Sequence, residues 1–147
     1  MKNFKPVIVA FCCHYCAYTA ADMAGSQRIC YPANVKIIRV PCSGKVDAIH
    51  MLKAFEKGAD GVVIAGCIGG DCHFKTGNIR AAKRVSHVRR LLDEIGIGAE
   101  RIEVVLMSAG MGDRFAKMAK EITEKICKLG PSPINLATLS GGMREAC

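Results

Sequence analysis

The sequence predicts an α/β domain: a flavodoxin-like three-layer sandwich with a four-stranded, mostly parallel sheet in the order 2-1-3-4. Three observations predict it. Short β-branched apolar runs alternate with longer segments whose apolar residues recur every three or four positions. The first and third short runs are apolar throughout, as strands covered on both faces are. Glycines stand where the helical patterns stop.

The elements follow in order. Residues 6–11 (PVIVAF) form the first strand, and residues 18–24 a short helix after it. Residues 35–40 (VKIIRV) are the second strand. Residues 46–57 carry Val46, Ile49, Leu52 and Phe55 at helical spacing and end at Gly58. Residues 61–65 (GVVIA) are the third strand. Residues 77–95 are a longer helix, with Ile79, Ala82, Val85, Val88, Leu91, Leu92 and Ile95 as its stripe and Gly96 as its stop. Residues 102–107 (IEVVLM) are the fourth strand, and residues 112–129 the last helix. Parallel strands joined this way require right-handed crossovers. Residues 1–129 are therefore expected to be the folded unit. Residues 130–147, rich in turn formers and without a strong period, are expected to be a tail that frays or lies on a partner.

Composition bounds the class. Half of the 147 residues are hydrophobic, and the mean hydropathy of +0.20 excludes a disordered chain. Nine cysteines fall below the roughly 8–10% of a disulfide scaffold. The first residues lack a secretory pattern, and no run approaches the roughly 20 apolar residues of a membrane span. The expectation is a cytoplasmic protein without membrane contact, in which cysteines serve metals or catalysis. The formal charge is +8. Lys83, Arg84, Arg89 and Arg90 on the long helix contribute to it, as a solvated face or as a dock for an acidic protein. Without aromatic interleaving or a recognition motif, nucleic acid is not expected as a partner.

Laid on this sheet, the cysteines converge. Cys12 and Cys13 end the first strand and Cys16 follows; Cys42 follows the second strand; Cys67 ends the third and Cys72 lies in its glycine-rich loop. The carboxyl ends of parallel strands share one edge, where α/β proteins build sites. Cys13-x-x-Cys16 and Cys67-x4-Cys72 are two chelating pairs, enough for the four-thiolate shell of a 2Fe–2S cluster. A thioredoxin-like dithiol at Cys13 and Cys16, or a structural zinc, fits part of the same set. Alternation turns Cys12 away from Cys13. Cys30, Cys127 and Cys147 lie apart. His14 and His73 adjoin the thiols, as iron ligands or, more commonly, as hydrogen-bond donors around a metal group. The segment 108–112 (SAGMG) suits a tight turn, and no phosphate-binding motif is complete. The residues compose no acid–base set, so no catalytic residue is expected.

These residues also resemble a known family. Cys13-His-Tyr-Cys16, Pro41-Cys42-Ser-Gly-Lys-Val-Asp47, Gly66-Cys-Ile-Gly-Gly-Asp-Cys-His73 and Gly77-Asn78, in this order, are similar to the delta subunit of methyl-viologen-reducing hydrogenase. The resemblance runs from about residue 5 to 126. It implies a small 2Fe–2S electron carrier, with Cys13, Cys16, Cys42, Cys67 and Cys72 as five thiols for four ligand places. It further implies electron relay from hydrogenase or formate dehydrogenase subunits to the flavin subunit of heterodisulfide reductase, with electron bifurcation, in methanogenesis. Ile68 stands where the family often has histidine, and Gly110-Met111 where an acidic residue is common.

Overall fold

The computed structural model describes residues 4–140. Its four strands are β1 (Ile8–Cys13), β2 (Val35–Val40), β3 (Gly61–Cys67) and β4 (Ile102–Met107). All pairings are parallel and the order is β2-β1-β3-β4, as the alternation predicts. Ile8 stands beside Val35 on one side and Gly61 on the other. Val62 stands beside Ile102. β3, GVVIAGC, is buried at every position.

Side chains along a strand alternate between faces, and each face receives its own helices. Ile8, Ala10, Val63 and Ala65 pack with α1 (Thr19–Ser26) and α4 (Gly112–Leu129), through Ala20, Phe115, Ala119, Ile122 and Ile126. Phe11, Val62, Ile64 and Ile102 face the other way. They meet α2 (Ala48–Glu56) and α3 (Gly77–Glu94) through Met51, Phe55, Ala81, Val85, Val88 and Leu92. These are the three layers.

Local signals explain the helix ends. Asp47 and His50 form a capping box at the start of α2, which therefore begins after residue 46. Gly58 and Gly96, at φ of 106° and 80°, adopt the left-handed conformation that ends α2 and α3 at little steric cost. α3 buries Ala81, Val85, Val88 and Leu92. Ile79, Ala82 and Ile95 of the expected stripe are exposed instead, since at about 100° per residue Ile79 points nearly opposite to Ala81.

The stretch after Gly130 differs from the expected tail. Pro133–Ser140 is a helix, α5, with proline at its first position, where a missing N–H costs nothing. Its start is tied to the amino end of β3. Asp60 accepts from Ser132 N at 2.8 Å, Asn135 Nδ2 at 2.6 Å and Val7 N at 2.9 Å. Arg101 donates to the carbonyls of Leu129, Gly130 and Pro131, and to those of Asp60 and Ile97. Residues 141–147, including Cys147, lie outside the described residues. Among those described, no helix is long and apolar enough to cross a membrane.

Candidate iron–sulfur centre

The carboxyl edge of the sheet gathers the thiols. Cys13 and Cys67 are the last residues of β1 and β3. Cys16 sits in the π-helical turn His14–Tyr18, which folds back over them. The Sγ atoms of Cys13, Cys16 and Cys67 all lie within 4.8 Å of one another, and those of Cys13 and Cys67 are 3.7 Å apart. Cys42 precedes the 3-10 turn Ser43–Lys45, and Cys72 lies in the loop between β3 and α3. These two interact with each other, and Cys42 also feels the charge of Cys13. All five residues are buried.

Glycines bring backbone against sulfur. A Cβ on Gly77 would stand 2.2 Å from Cys42 Sγ and 3.2 Å from Cys72 Sγ, so only a residue without a side chain starts α3 here. A Cβ on Gly44 would meet Gly77 Cα at 2.7 Å, so the two loops also touch through backbone alone. Amide groups are then directed at the sulfurs. Gly44 N donates to Cys42 Sγ at 3.4 Å. Tyr15 and Ser43 amides serve Cys13, the His73 amide serves Cys67, and those of Asn78, Phe74 and Gly77 serve Cys72. Asn78 and Gly77 belong to the first turn of α3, whose dipole favours negative charge.

The thiols titrate as a coupled set. Cys13 is held down to about 5, first by the Cys16 hydrogen bond, then, against burial, by the Tyr15 amide and the Cys67 thiol. Cys16 is correspondingly raised by that same hydrogen bond and by burial. Burial lifts Cys67 to about 11 despite its bond from Cys16. Cys42 is raised by burial. Burial also acts upward on Cys72, but the three amides outweigh it and the net shift is down. Cys12 is lifted to about 12 by burial and by the Cys13 charge. It is fully buried, its Sγ 3.7 Å from Ala10 O, turned away from the group as alternation requires.

The histidines take another part. Both His14 and His73 are exposed, and neither joins a cluster of ligand atoms among the described residues. The His73 ring stacks on Tyr15 at 4.0 Å, with Phe74 edge-on at 4.9 Å from His73. These ring contacts join the turn that holds Cys16 to the loop that holds Cys72. Cys30 and Cys127 are exposed and remote from the thiol group.

Three supporting residues escaped the sequence reading. Asn78 is 5% exposed and donates through Nδ2 to the carbonyls of Cys67 and Ile68, at 3.1 and 3.4 Å. Arg84 donates to the carbonyls of Gly44 and Val46, which fixes the turn after Cys42. Ser43, between Cys42 and Gly44, is buried with its hydroxyl at the end of β3. The Gly77-Asn78 dipeptide was a visible signal for the first. Ser43 stands in the Pro41-Cys42-Ser-Gly stretch, though nothing there shows its burial, and nothing in the local sequence singles out Arg84, whose carbonyl partners lie 40 and 38 residues away.

The donor set fits an iron–sulfur group on chemical grounds. It is all sulfur, it can ionise, and backbone N–H groups converge on four of its five members. Comparison with known proteins agrees with that chemistry. The family model for the methyl-viologen-reducing hydrogenase delta subunit matches residues 8–130. The vhu iron–sulfur D subunit of the F420-non-reducing hydrogenase of Methanocaldococcus jannaschii is 49% identical over 129 residues, spanning 88% of this chain and 96% of that protein. The iron–sulfur D subunit of the F420-non-reducing hydrogenase of Archaeoglobus profundus is 45% identical over 130 residues, 88% of this chain and 95% of that protein. The A subunit of the ferredoxin/F420H2-dependent CoB-CoM heterodisulfide reductase of Methanosarcina acetivorans is 40% identical over 130 residues; these span 88% of this chain and 16% of that protein. Fold, thiol geometry and sequence match agree, and the chain belongs to the methyl-viologen-reducing hydrogenase delta subunit family.

Proposed function

We propose that this chain is a 2Fe–2S electron-transfer subunit of an electron-bifurcating complex in methanogenesis. It takes electrons from a hydrogenase or a formate dehydrogenase and passes them to the flavin subunit of a heterodisulfide reductase. The observation that carries this reading is the single sheet edge with five buried thiols and amide groups aimed at four of them. The similar hydrogenase iron–sulfur subunits support the donor side. Support for the acceptor side comes from the similar heterodisulfide reductase chains, which contain a stretch like this whole unit. Reduced thiols suit the cytoplasm, where the chain would work.

A bound cluster would supply one-electron chemistry, and the chain's own residues set the conditions for it. Cys13, Cys16, Cys67 and Cys72 are the ligands by pair spacing. Cys42, in contact with Cys72, is the fifth thiol and competes for a place. The amides at Cys13, Cys42, Cys67 and Cys72 favour anionic sulfur, and burial of all five keeps water from it. Electron transfer needs no substrate pocket and no acid–base pair.

One observation favours a second reading. Cys13, held down to about 5 by Cys16, has the thiolate character of a dithiol oxidoreductase. Such a thiolate must be reached by its substrate, yet Cys13 and Cys16 are 1% and 4% exposed.

Iron and acid-labile sulfide analysis of anaerobically purified protein, with its absorption and EPR spectra, tests the reading. Equal iron and sulfide with a 2Fe–2S signal are expected. Iron-free protein with dithiol activity overturns it in favour of the second reading, and stoichiometric zinc alone overturns it as well. Cys67→Ser and Cys72→Ser are each expected to abolish the native signal; an unchanged signal in either removes that residue from the ligand set.

A further inference from the structure

The buried hydroxyl of Ser43 has no partner among the described residues. The residue is 1% exposed. An unpaired buried hydroxyl is unfavourable, and alanine would fill the same space without that cost. Moreover, the neighbouring strand makes room for it. A Cβ on Gly66 would lie 2.7 Å from Ser43 Oγ, so the hydroxyl occupies the place of a side chain one residue before Cys67. Its own amide is directed at Cys13. The hydroxyl thus lies at the carboxyl end of β3, on the residue that follows Cys42, while the amide of the same residue reaches Cys13 at the end of β1.

Ser132 provides an internal comparison, as the other buried hydroxyl without a partner among the described residues. Its amide also lies on an anionic group, the Asp60 carboxylate, at 2.8 Å. That carboxylate is already shared with Val7 and Asn135. Ser43 lies at the thiol edge instead, where its amide meets Cys13 and no cysteine Sγ accepts its hydroxyl. Thiolate and sulfide sulfur accept hydrogen bonds, and such bonds stabilise the reduced, more negative state of an iron–sulfur group.

We propose that Ser43 donates its hydroxyl hydrogen to a sulfur of the iron–sulfur group held by these cysteines, and thereby raises its reduction potential. This rests on the iron–sulfur reading above. The hydrogen bond is a tuning contact; no electron or proton is transferred through it.

The test uses the full chain, anaerobically purified with its iron. Ser43→Ala and Ser43→Thr are compared with wild type in EPR-monitored redox titrations, and by ENDOR in deuterated buffer. Ser43→Ala is expected to retain iron and sulfide, to shift to lower potential and to lose one exchangeable deuteron coupling. Ser43→Thr, which keeps the hydroxyl, is expected to match wild type in both. An alanine variant with unchanged potential and deuteron couplings overturns the proposal and leaves the iron–sulfur reading intact. Wild-type protein without iron overturns both. Should alanine lose its iron, Ser43→Gly and Ser43→Thr decide. Iron kept by threonine and lost from glycine and alanine supports the hydroxyl's role. Iron retained by glycine brings the potential measurement back with the same two outcomes. Iron lost from threonine too assigns Ser43 to packing and overturns the proposal.

Discussion

The two ends of the sheet bury polar chemistry in opposite ways. At the amino end, Asp60 and Arg101 meet their needs within the chain. The carboxylate receives three N–H donors, and the guanidinium reaches five carbonyls. At the carboxyl end, the buried donors and acceptors converge on sulfur. Five thiols bond mainly to one another and to amides, and the Ser43 hydroxyl, beside Gly66 at the end of β3, has no partner among the described residues. The first arrangement is a lock that closes the fold. The second, a ligand set on the reading proposed above, is organised by the same fold. An unpartnered hydroxyl does not by itself separate the two ends, since Ser132 at the amino end lacks a partner among the described residues as well; what separates them is that buried thiols and amides converge at one end only.

Substitutions at the two ends should therefore separate stability from loading. The largest stability effect is expected for Asp60→Ala. It strands three donors and removes the negative charge beside buried Arg101, at a cost of about 3–5 kcal/mol. Chemical denaturation measures it. A loss under about 1 kcal/mol would show that the amino-end lock contributes little. Gly77→Ala is expected next. Its Cβ would meet Cys42 Sγ at 2.2 Å, so iron content should fall steeply. The stability cost should stay near the about 1–3 kcal/mol of overpacking. Iron retained in full by that variant would break the separation between the two ends. The smallest effect is expected for Cys30→Ser and Cys127→Ser. Both thiols are exposed and remote from the group, so stability should move by less than about 0.5 kcal/mol and the EPR signal not at all. A thiol reagent should label these two first, with Cys12 last, because Cys12 is fully buried on the sheet face turned away from the thiol group.

Much of the fold was legible because it is written in short-range pattern. The spans of β2, β4 and α4 follow from apolar runs and periods within them. The gathering of thiols at one edge was legible too, since parallel strands place their carboxyl ends together whatever the loops do. What was not legible depends on distant partners. Spacing pairs Cys72 with Cys67, whereas in space Cys72 sits against Cys42, and Cys67 sits against Cys13 and Cys16. The weak period of α5 reads as a tail, and its anchor is Asp60, more than seventy residues upstream. The Ser132-Pro133 start was a usable signal, masked by the turn formers around it.

The sequence by itself determined the architecture and the donor type. Alternating strands and helices dictate a parallel sheet, and cysteines at strand ends dictate a sulfur site on one edge. Only the tertiary structure decided how the five thiols divide into three and two, which amides point at them, and that the Ser43 hydroxyl is buried beside Gly66. The reason is physical. Periodicity and strand direction are properties of consecutive residues, whereas distances between loops are set by how the three layers pack.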